Sequence, residues 1–262
     1  MTTPLLRQLA HKAMAQTPSP WHRHQPQARH LFQGGLAFNA VDPPGPSFNY
    51  VAVLGITRPL DEVVSQADAF FDGKPGGYGV LVEGDIGHPL EEELRRRGWK
   101  VFEDEPALVI PDLSPQTLES AQHIPSDLTI CLVENETTLR DYDETLCTVF
   151  GVAGEMRDTF AIKLSHALEP DMGLFVGYVN QQPVSTSLLL CTANIAVLSG
   201  ITTLNAYRNR GYGAALTRAA LIEGARRGCT AAALRSGPLS VPLYKRVGFQ
   251  HACWHRTYVP GI

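Results

Sequence analysis

The stretch that most constrains this chain is Ile201-Thr-Thr-Leu-Asn-Ala-Tyr-Arg-Asn-Arg-Gly-Tyr-Gly-Ala214. A β-branched run (Ile201, Thr202, Thr203) predicts a strand. Arg208-Asn209-Arg210-Gly211-Tyr212-Gly213 predicts a tight glycine-rich loop. Strong helix formers follow, from Ala214 through Leu221. A strand, a glycine turn and a helix start gather outward-pointing backbone N–H groups, and the helix end adds partial positive charge. Such a turn suits a phosphate or pyrophosphate. Glycine lets the anion approach the backbone and permits a positive φ.

Two other phosphate-binding loops do not fit. In Gly211-x-Gly213-x-x-Leu216, leucine stands where a dinucleotide fingerprint needs its third glycine, and no acidic residue follows about 20 positions on to hold a ribose. The chain has no Gly-Lys-Ser/Thr, so a nucleotide P-loop is excluded. Downstream lie a short apolar strand, Ala231-Ala-Ala-Leu234, and then Pro242-Leu-Tyr244-Lys-Arg-Val-Gly248-Phe249.

Arg208-x-x-Gly211-x-Gly213 resembles the Gln/Arg-x-x-Gly-x-Gly/Ala motif of the GNAT superfamily of acyl-CoA-dependent N-acyltransferases. Tyr244 to Phe249 resembles that family's Tyr-x-x-x-Gly-Phe motif. The motif order holds from about Leu128 to the C-terminus and is weaker in the first half. The resemblance implies an α/β fold and acetyl-CoA as co-substrate, with an amine as acceptor. Ile201, Thr202, Thr203, Arg208, Asn209, Arg210, Gly211, Tyr212, Gly213 and Ala214 are then the CoA-binding residues, and Tyr244 the catalytic acid.

Composition narrows the alternatives. A net charge of −4 argues against a nucleic-acid partner. Five cysteines without a Cys-x-x-Cys read as reduced thiols, and no metal site is expected. No apolar run is long enough for a membrane span. Residues 1–16 lack the apolar core of a signal peptide, so a cytoplasmic monomer or homodimer is expected. His11, His22, His24 and His30 have no ligand spacing on a defined element and are expected in solvent.

The periodicities divide the chain. Helices are expected over Pro4 to Gln16, Leu60 to Phe71, Pro89 to Arg97, Thr137 to Val149 (capped by Thr137 or Thr138) and Met156 to Leu168. Strands are expected at Tyr50 to Gly55, Gly79 to Val82, Trp99 to Val101, Ala107 to Ile110, Leu128 to Val133 and Ile195 to Thr203. A hairpin turns at Asn180-Gln-Gln-Pro, and His251 to Val259 is a closing strand. The proline-rich stretch 111–125 is the best linker. Two units follow, a degenerate GNAT-like domain at 1–120 and a catalytic domain at 126–262. Each is expected to be a mostly antiparallel mixed sheet flanked by helices.

A constant offset of 150 residues aligns the halves. Leu94-Arg-Arg-Arg-Gly98-Trp falls on Tyr244-Lys-Arg-Val-Gly248-Phe, and Leu60 to Phe71 falls on Arg210 to Leu221. This reads as a duplicated fold. Asp61 and Val63 stand at the two glycine positions and Leu94 at the tyrosine, so one CoA per chain is expected, in the second half.

The chemistry is assigned part by part. The Arg208 to Ala214 loop takes the pyrophosphate. The backbone of Ile201 and Thr203 pairs with the pantetheine arm and steadies the oxyanion. Tyr244 protonates the leaving thiolate, a phenol of pKa about 10 serving a thiol of about 8.5. No general base is identified. Asn194 to Leu204 carries no acid, and Glu134, Glu155 and Asp158 are the nearest in the second half. Cys191, Cys229 and Cys253 are expected as core thiols. The missing strand acid keeps a second reading open, a CoA-binding or sensor protein without turnover.

Overall fold

The structure is a computed structural model of the 262-residue chain. It describes all residues except 1–2, 17–22, 42–44, 56–57, 73–76, 85–88, 115–123 and 262. The fold is mixed α/β, with mostly antiparallel strands flanked by helices. Two compact units do not follow chain order. The first comprises Met1–Leu108, Arg235–Val241 and Gln250–Ile262, and the second Val109–Leu234 and Pro242–Phe249.

The first unit opens with helix α1 (Thr3–Gln16) and a hairpin of β1 (Arg29–Gln33) and β2 (Leu36–Ala40). Gly34 and Gly35 turn that hairpin with φ of 59° and 82°. β3 (Tyr50–Val53), helix α2 (Leu60–Phe71) and β4 (Gly79–Glu83) make a parallel crossover. Helix α3 (Pro89–Arg96) and β5 (Lys100–Ile110) follow. The two short extended pieces expected between Trp99 and Ile110 are one continuous strand, Pro106 included. The closing strand β11 (Gln250–Val259) lies antiparallel beside β4, and the sheet order is β1-β2-β3-β4-β11-β5.

Val63, Ala67 and Phe71 of α2 recur at helical spacing and are buried. They pack on Phe38, Val51, Val53, Val80 and Val82 of the sheet. Burial of such side chains contributes roughly 1.5–3 kcal/mol each.

The second unit carries β6 (Thr129–Leu132), β7 (Met172–Val179), β8 (Gln182–Thr192), β9 (Ile195–Thr203) and β10 (Ala231–Arg235) in the order β6-β7-β8-β9-β10. β9 and β10 pair in parallel, joined by helix α7 (Tyr212–Arg226). The remaining helices are α4 (Glu136–Phe150), α5 (Glu155–Phe160), α6 (Leu164–Ala167) and α8 (Val241–Val247). The β7–β8 hairpin turns on Asn180 and Gln181, both at positive φ (49° and 65°).

Two local expectations are corrected. Asn135, not Thr137 or Thr138, caps α4. Its side chain accepts from the Thr137 and Thr138 amides, and Thr138 Oγ1 reaches back to close a capping box. The single helix expected over Met156 to Leu168 is two short ones, because Ala161 leaves helical geometry at ψ 124°.

Candidate functional site

β9 and β10 pair over three residues only, Ile195↔Ala231 to Val197↔Ala233. From Leu198 onward, β9 keeps its ladder to β8 and has no ladder to β10. The register to β8 shifts between Thr186 and Leu188, and Gly200 sits there at φ 57°. That bulge aims the last residues of β9. Leu204 N–H donates to Val184 O at 2.9 Å, and Ser185 Oγ donates to Thr202 O at 2.5 Å. Thr202 and Leu204 therefore turn their main-chain groups to β8. Ile201 and Thr203, in alternation, turn theirs to the unpaired edge.

Side chains hold this end rigid. Thr202 is buried, its hydroxyl 2.6 Å from Thr186 Oγ1, and Thr203 Oγ1 is 3.0 Å from Ser185 Oγ. Arg208 Nε donates to Thr203 O at 3.1 Å, which folds the loop back on the strand end. Arg210 donates to Ala206 O and lies over the Tyr207 ring at 5.3 Å.

Asn209 and Gly211 take left-handed conformations, φ 63° and 86°, and swing the chain into α7. The first bond closing that helix runs from Ala215 N–H to Gly211 O, 3.0 Å. The amides of Tyr212, Gly213 and Ala214 precede it and have no acceptor within the helix. Among the described residues, no side chain caps this end. Strand edge and helix start thus present two sets of donors on consecutive segments.

The two glycines differ in kind. Gly211 needs its positive φ. Gly213 is helical, and a Cβ there would stand 3.4 Å from Leu243 Cδ1 and 3.6 Å from Thr203 Oγ1, ordinary contacts. A positive φ is therefore not the reason for Gly213. Tyr212 is an anchor: its side chain is buried and its hydroxyl donates to Asp127 Oδ2 at 2.5 Å.

Tyr244 lies on α8, 7 % exposed, its ring edge-on to Phe249 at 5.9 Å. Its hydroxyl makes no hydrogen bond to a described residue, and burial pushes the phenol up to about 12. The Gly248 and Phe249 amides both bond to Tyr244 O (3.1 and 3.0 Å), which ends α8. Gly248 stands at φ 120°, so the Gly-Phe pair following the tyrosine is a helix stop.

Among acids, Glu134 and Asp158 are exposed, and Glu155 lies at the start of α5. Sequence reading missed Asp143. Its Oδ1 is buried without a hydrogen-bond partner among the described residues, and burial pushes its carboxyl up to about 7 against the pull of Arg157. Nothing in Tyr142-Asp143-Glu144 marks it, since the signal is the environment of a side chain. Cys229 and Cys253 are buried as expected, and Cys191 is partly exposed. His24 and His30 are exposed, and His22 lies outside the described residues. His11 departs from expectation: α1 packs on β11 and leaves the His11 side chain 13 % exposed.

Residues 139–249 match the Acetyltransferase (GNAT) family. Solved structures share the architecture at low identity. A GCN5-related N-acetyltransferase from Kribbella flavida is 18 % identical with TM-score 0.67, covering 97 % of this chain and 93 % of its own. A conserved protein of unknown function from Staphylococcus epidermidis is 16 % identical with TM-score 0.63, over 90 % and 94 %. A GCN5-related N-acetyltransferase from Sphaerobacter thermophilus is 17 % identical with TM-score 0.61, over 87 % and 78 %. The chain matches no curated protein sequence. Among the described residues, no helix is long and apolar enough to cross a membrane.

Proposed function

With residues 139–249 a domain of the GNAT acetyltransferase family, we propose that the chain transfers an acetyl group from acetyl-CoA to a primary amine by direct attack in a ternary complex. The observation that carries this reading is the open edge of β9 leading into an uncapped helix start. The pyrophosphate lies on the Tyr212, Gly213 and Ala214 amides, with Arg208 and Arg210 adding charge. The pantetheine amides pair with Ile201 and Thr203, like an added strand. The catalytic residues fall within the stretch 126–262, all of them in the second unit, and the first half is a copy that has lost this chemistry.

The amine nitrogen bonds to the thioester carbon, and the carbonyl oxygen becomes an oxyanion. A β9 amide donates to that oxyanion. The C–S bond then breaks, and Tyr244 gives its phenolic proton to the departing thiolate. The ammonium proton leaves through water, which returns a proton to the Tyr244 phenolate. A phenol held at about 12 stays protonated at neutral pH and keeps a free hydroxyl for this donation.

Thiol release from acetyl-CoA, followed across a panel of amines, tests the reading. Turnover on at least one amine is the expected result. CoA binding with no turnover on any of them favours a sensor instead. The absence of an acidic residue from Asn194 to Leu204 is the observation on that side.

A further inference from the structure

The first unit holds a cluster that acyl transfer does not use. Cys253 and His255 sit two apart on β11, so their side chains share one face. His255 pairs in register with Glu83 on β4. Above that face lies α1, which brings His11 down onto the pair. Cys253 Sγ is 3.4 Å from His255 Nε2 and 3.8 Å from His11 Nε2. Donor atoms of His11, Cys253 and His255 all lie within 4.8 Å of one another. Glu83 Oε2 stands 3.3 Å from His11 Nε2, and Arg7, one turn earlier on α1, is 3.0 Å from Glu83 Oε1.

We propose that His11, Cys253 and His255 bind one zinc-class divalent ion, with Glu83 as the nearest oxygen for the fourth position. A tetrahedral ion with Zn–N about 2.0–2.1 Å and Zn–S about 2.3 Å spaces its donors roughly 3.3–3.6 Å apart. One sulfur–nitrogen distance lies within that range and the other just above it, so closing those two contacts needs shifts of a few tenths of an ångström. One thiolate, one carboxylate and two neutral imidazoles cancel the ion's charge, which suits a site this buried. The donor set is borderline-soft, which favours zinc over magnesium or calcium.

Burial of the cluster supports the ion. His255 is 1 % exposed, and its Nε2 meets the Cys253 sulfur at 3.4 Å. Buried polar side chains are ordinarily bonded, and a lone thiol is a poor partner for an imidazole. The fourth position has access to solvent space, because His11 and Glu83 also line a cavity of about 690 Å³.

The test uses the full chain without a polyhistidine tag. Zinc content is measured after dialysis against a weak chelator, and the metal-free protein is titrated with cobalt(II). One zinc per chain is expected, together with a tetrahedral cobalt spectrum carrying a thiolate charge-transfer band. Cys253→Ser should remove that band, and His11→Gln should weaken zinc binding by at least roughly 10-fold. Wild-type cobalt with an octahedral spectrum and no charge-transfer band overturns the proposal. So does a band that survives in Cys253→Ser. The wild-type spectrum decides alone if a variant fails to fold.

Discussion

The crossover β3–α2–β4 in the first unit and β9–α7–β10 in the second are the same construction put to different ends. Each joins two parallel strands through one helix, and their residues lie about 150 apart. In the first, all four residues of β3 pair with β4, Tyr50↔Gly79 through Val53↔Val82. In the second, pairing stops after three residues, and six residues of β9 run on beside an open edge. The helix starts differ as well. α2 begins behind Pro59 with Asp61 and Glu62 in its first turn, and Arg58 bridges Glu62 while donating to Gly34 O. Those acids suit the helix dipole and repel an anion. α7 begins behind a left-handed glycine, with no acid in its first turn. A closed ladder and a charged cap give a stable crossover. An open ladder and a bare helix start leave room for a ligand.

The sharpest way to break this comparison is to make the second helix start resemble the first. Gly211→Val places a β-branched residue at φ 86° and a side chain in the anion's approach. CoA binding by calorimetry should fall below detection, with far-ultraviolet dichroism unchanged. Retained affinity would remove the loop from the site. Gly213→Ala should weaken CoA binding less, since its backbone is helical and its Cβ meets only ordinary contacts.

Next in size is Tyr244→Phe. Turnover should drop roughly 10²-fold, at the low end for a lost general acid, with CoA affinity nearly unchanged. In the first unit the matching residue is Leu94, fully buried and without a proton to give. Full activity in the variant would return Tyr244 to a packing role beside Phe249.

The units also treat buried carboxylates in opposite ways, which sets a pH test. Burial pushes the Glu91 carboxyl up. Tyr258 (2.6 Å) and Arg256 (2.8 Å) outweigh that and hold it below the usual range. Its stabilisation is present above the ordinary glutamate pKa and is lost as pH falls through the lowered value. Asp143 is the reverse. With its carboxyl pushed up to about 7, the folded state holds a proton that the unfolded chain has released. Stability therefore declines as pH rises from about 4 to about 7. Glu91→Gln should cost about 3 kcal/mol at pH 7 by urea unfolding. Asp143→Asn should add at least ~1 kcal/mol at pH 8, because one pK unit is worth about 1.4 kcal/mol. Opposite signs are the expected result, and equal signs would remove the contrast.

How much of this was legible differs by feature. The glycine loop, the strand before it and the helix after it announce themselves, because glycine, β-branching and helix formers act locally. Asn135 was missed as a cap because Thr137 and Thr138 are also capping types close by, and only the backbone decides which residue stands at the cap. The end of pairing after Val197 is invisible, since nothing in Leu198-Ser-Gly-Ile-Thr-Thr distinguishes a paired edge from an open one. That β11 joins the first unit's sheet was also hidden. Its alternating burial reads as a strand, but strand pairing is a long-range choice that period 2 does not encode. His11 and Cys253 meet for the same reason, 242 residues apart in sequence.

The smallest expected effect is a null one, and it bears on whether the first crossover is a blocked site or no site. If charge alone closes it, Asp61→Asn with Glu62→Gln should create a second CoA site. The ladder argues otherwise. Removing two carboxylates leaves β3 fully paired with β4, so the pantetheine amides still find no free strand edge. Pro59 still offers no N–H at the helix start, and the Glu62 and Val63 amides already bond to Pro59 O at 3.1 and 3.2 Å. Calorimetry on the double variant should therefore give one CoA per chain, as for the parent, with unaltered affinity. The melting temperature should fall slightly, because the Arg58–Glu62 and Arg97–Asp61 pairs are lost. A stoichiometry near two would mean that charge was the only barrier, and that the open edge of β9 is not what makes the second unit the binding one.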